Sequence, residues 1–161
     1  NCVFSVVDRI VDDSNTDTRI LVLSRTDGNP ELFTIWIGAA EGESIRRALD
    51  TSVTPRPMSH DLIKSFGEHF GVKTERVVLT DVKSSTYFAT VYLESNGVTR
   101  SIDARPSDAI ALALRTKAPI FVEDSVIDHA KPAEFATDGA DSERLHKWLE
   151  SLDPEDLGYK M

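Results

Sequence analysis

The spacing of hydrophobic and polar positions changes several times along the chain, and each change predicts a new element. Short apolar runs bounded by turn residues are typical of strands, whereas apolar residues that recur every three or four positions are typical of helices. The pattern predicts strands at residues 2–11, 19–24, 32–37, 75–82, 87–94, 98–103 and 119–122. It predicts helices at residues 41–49, 59–70, 109–117 and 125–130.

Turn and capping residues support these boundaries. Asn96 and Gly97 lie between two alternating runs, and this dipeptide is the strongest hairpin signal in the chain. Ser59 is predicted to cap a helix that Gly71 closes, and Pro106 is predicted to open the helix that follows the last long strand. Strands joined by short turns favour antiparallel neighbours. We therefore predict an α+β fold, with helices packed on a mainly antiparallel or mixed sheet.

The element order suggests two related halves. When the chain is shifted by 65 positions, five apolar residues fall on apolar residues, and each group spans a strand-to-helix junction. These residues are Ile37, Ala39, Ile45, Ala48 and Leu49, which fall on Ile102, Ala104, Ile110, Ala113 and Leu114. Any strand-to-helix junction buries similar residues, so an internal two-fold duplication is an expectation resting on a weak match.

The end of the chain differs in composition. Residues 1–130 are predicted to form one domain, and residues 131–140 resemble a linker rich in small and polar residues. An amphipathic helix is predicted next, with Leu145, Trp148, Leu149 and Leu152 on its inner face and Pro154 at its end. The chain has a net charge of −9, and residues 124–161 contribute −6 of it, from ten acids and four bases. We predict a solvated acidic tail, and an alternative is that it competes for a polyanion site on the domain.

Composition excludes several classes of protein. The chain has 161 residues, of which 40% are hydrophobic and 28% charged, a balance typical of globular domains and not of disordered chains. No apolar run is long enough for a membrane helix, and a single cysteine forms neither an internal disulfide nor a cysteine-based zinc site. A reducing, cytoplasmic location fits best. The acidic balance argues against binding of nucleic acid through a broad basic surface.

Two segments combine arginine and proline with serine and aspartate at a predicted helix start. Arg56 and Ser59 belong to the first segment, and Arg105 and Ser107 belong to the second. Free N–H groups at a helix start favour anions, and an arginine can bind a phosphate with two hydrogen bonds. These four residues are candidate phosphate ligands, while ordinary helix capping is the simpler explanation of the same spacing.

Acidic residues and one histidine near these segments suggest hydrolytic chemistry. His60 can move a proton near neutral pH, and Asp61 beside it can orient an imidazole. Asp103, Asp108 and Glu41 are predicted at strand ends and helix starts, where carboxylates can bind Mg²⁺ or Mn²⁺. The candidate catalytic residues are therefore His60, Asp61, Asp103, Arg105 and Asp108. Capping and solvated turns account for the same residues without a function.

Four segments together resemble the bifunctional nuclease family, which has bacterial and plant members. They are IWIG at residues 35–38, RPMSHDL at 56–62, IDARPSDAIALA at 102–113 and PI at 119–120. The resemblance covers about residues 3–130, and the third segment is long enough to be highly specific. Met58 and Ser59 stand where leucine and threonine are more usual in the family. The acidic segment around Trp148 is also similar to the end of bacterial members.

The resemblance implies an α+β domain, activity on both DNA and RNA, and a homodimer or higher homo-oligomer. It assigns no catalytic residues, so the candidate residues above rest on their chemistry alone. Three functions are compatible with the sequence. The first is a metal-assisted nuclease, the second is a non-catalytic module that binds a phosphorylated ligand or a protein partner, and the third is an oligomeric scaffold in which these residues serve folding alone.

Overall fold

A computed structural model describes residues 1–12, 16–28 and 31–132. Seven strands and four helices carry the fold, and a two-residue strand follows them. The strands are β1 (Cys2–Asp12), β2 (Thr18–Arg25), β3 (Leu32–Gly38), β4 (Lys73–Lys83), β5 (Thr86–Ser95), β6 (Val98–Ala104), β7 (Ile120–Glu123) and β8 (Lys131–Pro132). The helices are α1 (Ala39–Leu49), α2 (Ser59–His69), α3 (Pro106–Thr116) and α4 (Asp124–His129).

All eight strands form one mixed sheet in the order β6-β5-β4-β7-β1-β2-β3-β8. Strands β1 to β3 form one antiparallel meander and strands β4 to β6 form another. Strand β7 lies between the two meanders, parallel to β4 and antiparallel to β1. The predicted α+β class with a mixed sheet is confirmed. Each meander is followed by a helix, while an internal duplication stays a prediction.

The helices pack on one face of the sheet, which we call the helical face. Leu21, Leu23 and Ile35 point to this face from the first meander, where they join a buried cluster with Ile45 of α1. Val77, Leu79, Ala89 and Val91 do the same in the second meander, against Ala109 to Ala113 of α3. Four consecutive residues of β2, from Ile20 to Leu23, are fully buried, because both faces of this strand are covered. The predicted apolar runs therefore build the core.

The structure overturns two local predictions. Met58 and not Ser59 occupies the position before the first turn of α2, and its N–H donates to the Asp61 carboxylate at 2.8 Å. The capping prediction for Ser59 is therefore wrong, since an aspartate inside the first turn satisfies the free N–H instead. Strand β8 occupies residues predicted to be a linker, where it pairs with Phe33 and Thr34. The predicted acidic helix around Trp148 lies outside the described residues.

The Asn96–Gly97 hairpin is confirmed. Both residues have positive φ angles, 52° and 79°, and they join β5 to β6 with Ser95 opposite Val98. Paired positive φ angles belong to the turn whose twist matches two antiparallel strands. The hairpin places β6 at the edge of the sheet. Strand β6 ends at Ala104, two residues before α3 begins at Pro106. Within the described residues, no helix is long and apolar enough to span a membrane.

Candidate functional site

Three helices meet on the helical face where α3 begins. Arg105 occupies the position before the first turn of α3, and Pro106 is its first residue. The first hydrogen bond inside this helix runs from the Ala109 N–H to the Arg105 carbonyl at 3.0 Å. The N–H groups of Ser107 and Asp108 therefore have no partner inside the helix, as at any helix start. Helices α1 and α2 both pack against α3 and bring their own side chains to this point.

A buried histidine links all three helices. The Nδ1 atom of His60 in α2 lies 2.6 Å from the Ser44 hydroxyl of α1. Its Nε2 atom lies 2.8 Å from a carboxylate oxygen of Asp108 in α3. An ionised carboxylate can accept a hydrogen bond but not donate one, so Nε2 carries a proton and donates it to Asp108. In the neutral imidazole, Nδ1 then accepts a hydrogen bond from the Ser44 hydroxyl.

An exposed guanidinium joins this histidine to a second carboxylate. The Nε atom of Arg105 donates to Asp108 at 2.9 Å, and Nη1 donates to Glu41 at 3.1 Å. Gly38 has no side chain, and this leaves room for the Glu41 carboxylate, which a Cβ atom there would meet at 2.2 Å. The Arg105 side chain is 46% exposed. Glu41, His60, Arg105 and Asp108 thus form one connected group, which we call the α3 cluster.

The contacts within the α3 cluster set the charge of its members. Burial opposes the ionisation of Asp108, but the hydrogen bonds from Arg105 and His60 outweigh it and lower the pKa of this carboxyl. The hydrogen bond to Asp108 in turn raises the pKa of Arg105. Asp108 is therefore ionised at neutral pH, which supports the assignment of the Nε2 proton to His60.

Arg115, a second arginine of α3, holds the three helices together from inside. Its side chain is 7% exposed, and its Nε atom lies 2.7 Å from the carboxylate of Asp61. Its Nη2 atom donates to the Ser44 carbonyl at 3.1 Å, and its Nη1 atom donates to the Ala111 carbonyl at 3.0 Å. Asp61 is thus engaged by Arg115 and by the Met58 N–H, while its neighbour His60 points to Asp108. The structure gives Asp61 a supporting position and not one at the α3 cluster.

Loss of the Arg115 side chain is expected to lower the stability of the fold strongly. Replacing Arg115 with methionine removes the ion pair with Asp61, which keeps only the Met58 N–H, and the hydrogen bond to the Ser44 carbonyl. We expect the free energy of unfolding to fall by about 3 kcal/mol. Chemical denaturation of the Arg115→Met protein measures this change. The exposed Arg100 of β6 is the matched control, and its replacement is expected to change stability by less than about 0.5 kcal/mol.

The pH dependence of the stability of the same variant distinguishes loss of the ion pair from loss of packing. Burial opposes ionisation of Asp61, but bonds from Met58 and Arg115 lower its pKa from the usual 3.8. A lowered pKa stabilises the fold above the usual value, and this contribution is lost as the pH falls through the lowered one. The stability difference between wild type and Arg115→Met should therefore be full at pH 7 and narrow below about pH 4. A difference independent of pH would contradict the role of the ion pair.

Several predicted site residues lie away from the α3 cluster. Asp103 of β6 pairs with Thr90, whereas its neighbours Ala104 and Ile102 pair with Ala89 and Val91 on the helical face. Because side chains alternate along a strand, Asp103 belongs to the opposite face of the sheet, where it is exposed. The structure therefore does not bring it to Asp108.

The predicted phosphate ligands also separate. Arg56 and Ser59 are exposed near the start of α2, and in the described part of the chain no hydrogen bond or ion pair joins them to the α3 cluster. Ser107 lies in the first turn of α3 but is fully buried, and its hydroxyl has no hydrogen-bond partner among the described residues. Of the four predicted phosphate ligands, Arg105 alone is both exposed and part of the cluster.

Two residues of the site, Ser44 and Arg115, are not among the residues predicted from the sequence. Ser44 lies inside α1, next to the core residue Ile45, and nothing in its spacing marks it as a partner of His60. Arg115 does carry a signal, because it is a charged residue that directly follows the apolar run from Ala109 to Leu114. A charge placed in such a buried segment requires a partner.

Two of the three predicted metal ligands, Glu41 and Asp108, lie at the α3 cluster. Among the described residues, no group of three or more His, Cys, Asp or Glu side chains is arranged to hold a metal ion. Two carboxylates, those of Glu41 and Asp108, do face the same guanidinium. Mg²⁺ is often bound by one or two carboxylates together with phosphate oxygens of a substrate, so the chemistry of this pair suits a magnesium ion shared with a substrate.

Comparison with known proteins places the chain in a family. Residues 21–134 match the bifunctional nuclease domain, and the chain belongs to this family. An uncharacterized protein of Mycobacterium tuberculosis is 31% identical over 147 residues, which cover 86% of this chain and 87% of that protein. Bifunctional nuclease 1 of Oryza sativa subsp. indica is 32% identical over 105 residues, and Bifunctional nuclease 2 of Arabidopsis thaliana is 31% identical over 105 residues. These plant matches cover 63% of this chain and only 32% of each plant protein.

Proposed function

We propose that the chain hydrolyses phosphodiester bonds of DNA and RNA at the α3 cluster. The observation that carries this proposal is the contact of an exposed arginine, Arg105, with a carboxylate that is also bound to the buried His60. This places an anion-binding group next to a group that exchanges protons. The family and the names of its plant members support a nuclease.

The open side of the cluster determines what a substrate meets first. The Arg105 and Asp108 side chains are 46% and 36% exposed, whereas that of His60 is 10% exposed. A phosphodiester would therefore bind through the Arg105 guanidinium. Arg56 and Ser59 remain predicted as further phosphate ligands.

The hydrogen-bonded row of Ser44, His60 and Asp108 supplies the proton chemistry. The attacking water must lose a proton as its oxygen bonds to phosphorus. The Asp108 carboxylate can accept that proton, because it is exposed, whereas Nε2 of His60 is already protonated and Nδ1 faces Ser44. When the imidazole is charged, its Nδ1–H donates to the Ser44 hydroxyl, and when it is neutral the hydroxyl donates to Nδ1. Ser44 therefore stabilises both protonation states without moving. Arg105 would stabilise the negative charge that develops on the phosphate oxygens.

Substitution of Arg105 tests this assignment. We expect Arg105→Gln to lower kcat on both DNA and RNA by about tenfold, because glutamine keeps a hydrogen-bond donor but loses the charge. Initial rates on end-labelled substrates measure the effect, and Arg100→Gln on the exposed edge strand is the control. Equal rates for both variants would remove Arg105 from the mechanism.

A non-catalytic module that binds a phosphorylated ligand is the second candidate. The observation in its favour is the net charge of −9, which provides no long-range attraction for a nucleic acid. If highly purified protein cleaves nothing at any divalent metal concentration, but a mononucleotide raises its Tm, this second function applies. Cytoplasmic location and homo-oligomer formation remain proposals that follow from the single cysteine and from the family resemblance.

A further inference from the structure

An apolar groove lies between α2 and the second meander, outside the α3 cluster. It encloses about 600 Å³. Its floor consists of Leu112 of α3 and of side chains from the helical face of β5 and β6, and its wall is one face of α2. The apolar lining residues on which the argument rests are Ile63, Phe66, Phe70, Leu93, Ile102 and Leu112. We call this surface the aromatic groove.

Two phenylalanines dominate the aromatic groove and are unusually open. Phe66 is 61% exposed and Phe70 is 75% exposed. Their ring centroids lie 6.4 Å apart with an angle of 13° between the planes, so the rings are nearly parallel. Two aromatic rings exposed to water contribute little of the stabilising free energy that their burial would provide. Contiguous exposed apolar surface of this kind marks binding sites.

The rim of the groove is positive although the chain as a whole is negative. Lys64, Lys73, Lys117 and Arg115 line it, and Glu68 is the acid among the lining residues. Two of these cations already have acidic partners, because Arg115 forms an ion pair with Asp61 and the Lys64 Nζ atom lies 3.7 Å from the Glu68 carboxylate. Lys73 and Lys117 are exposed and provide the excess positive charge. The groove therefore combines parallel aromatic faces with cations at its edge.

We propose that the aromatic groove binds unpaired nucleotides of a single-stranded nucleic acid, whose bases stack on Phe66 and Phe70. Every base has a flat aromatic face, and lysines at the rim suit the phosphates, so this combination is typical of binding without sequence preference. The inference deepens the proposed function and rests on it. It identifies a second contact surface for the same substrate.

The position of the groove on α2 connects it to the α3 cluster. Phe66 follows His60 by six residues and Phe70 follows it by ten, which correspond to about 9 and 15 Å along a helix axis. A nucleic acid strand bound at Arg105 therefore needs only a few further nucleotides to reach the two rings. In a duplex, each base is stacked between its neighbours, so its faces are not free to stack on Phe66 and Phe70. The groove therefore favours single strands.

A second copy of the chain is the competing occupant. A two-fold interface through this groove would pack the same patch against itself, so that the excess positive charge of one rim faces the excess positive charge of the other. Like charges across an interface oppose association, whereas the phosphates of a nucleic acid neutralise them. The charge of the rim therefore favours the nucleic acid.

Binding of a fluorescein-labelled oligothymidylate, measured by anisotropy in EDTA, tests the proposal. We expect Phe66→Ala/Phe70→Ala to raise the Kd at least tenfold, since loss of a stacked base contact has effects of this order. Leu62→Ala is the matched control, because Leu62 is a 53% exposed apolar residue of the same helix that does not line the groove. A Lys73→Gln/Lys117→Gln variant should reduce the salt dependence of binding. Thermal unfolding checks that each variant is folded.

The outcomes distinguish failure of the groove proposal from failure of the proposed function. A tenfold loss in the phenylalanine variant but not in Leu62→Ala supports the groove. Unchanged oligonucleotide binding by the phenylalanine variant overturns it, as does a wild-type dimer that dissociates in this variant during sedimentation. If this variant binds normally while Arg105→Gln still loses cleavage, the groove proposal fails and the proposed function stands. If the wild-type protein neither binds nor cleaves any nucleic acid, the proposed function fails first.

Discussion

Replacing His60 with glutamine should lower turnover on DNA and RNA by about 100-fold or more, the usual contribution of a positioned proton-transfer group. Glutamine keeps polar contact with Ser44 and Asp108 but has no charged form, so it cannot support proton uptake by Asp108 as an imidazole does. The KM should change less than kcat, because Arg105 still binds the phosphate. Steady-state kinetics on both substrates measure this difference.

Stability must be measured on the same variant, because His60 is buried and joins three helices. If the glutamine variant unfolds at a much lower Tm and loses activity in proportion, His60 supports folding alone, which is the scaffold alternative. Ser44→Ala provides a second check. It removes the hydroxyl that stabilises both protonation states of the imidazole, so we expect a smaller loss of kcat together with a displaced pH–rate profile. A merely structural serine would leave that profile in place.

Removal of divalent ions should abolish cleavage. In the α3 cluster two carboxylates, Glu41 and Asp108, face a single guanidinium, so the site is negative when His60 is neutral. A phosphodiester is also negative and would be repelled without a further cation. A bound Mg²⁺ or Mn²⁺ would supply that charge and polarise the phosphate, and Glu41 and Asp108 would hold it together with substrate oxygens.

The metal prediction has a direct control. Protein dialysed against EDTA should be inactive, and added Mg²⁺ or Mn²⁺ should restore cleavage. Glu41→Gln should raise the metal concentration needed for half-maximal activity, whereas Glu68→Gln, on the exposed part of α2, should not. Full activity after dialysis would contradict metal assistance and leave the assignment of Arg105 and His60 intact.

The sequence predicts the fold better than it predicts the site. Apolar periods of two and of three to four residues mark the strands and helices, and the Asn96–Gly97 turn fixes a hairpin register. Alternation within strands is also what separates Asp103 from Asp108. A strand prediction ending at residue 103 indicates that Asp103 lies near a helix start, but it does not specify which face of the sheet Asp103 occupies.

The partners of the site residues come from different parts of the chain. His60 meets Ser44 and Asp108 across 16 and 48 residues, and Arg115 meets Asp61 across 54. Such contacts depend on how α1, α2 and α3 pack, which no local spacing specifies. His60, Arg105 and Asp108 could be predicted because their residue types suggest chemistry. Ser44 could not, because a serine inside a helix has no distinguishing pattern.

The late position of β7 in the chain has a consequence for folding. This strand of four residues is made after both meanders and α3, yet it is the element that pairs with β4 on one side and β1 on the other. In the described part of the chain, no strand pairing joins the two meanders except through β7, so each exposes an open strand edge until residues 120–123 have left the ribosome. Val3 must then find Val122 from the far end of the domain. Such distant pairing is slow, so both strand edges stay open to pairing with another chain until β7 is in place.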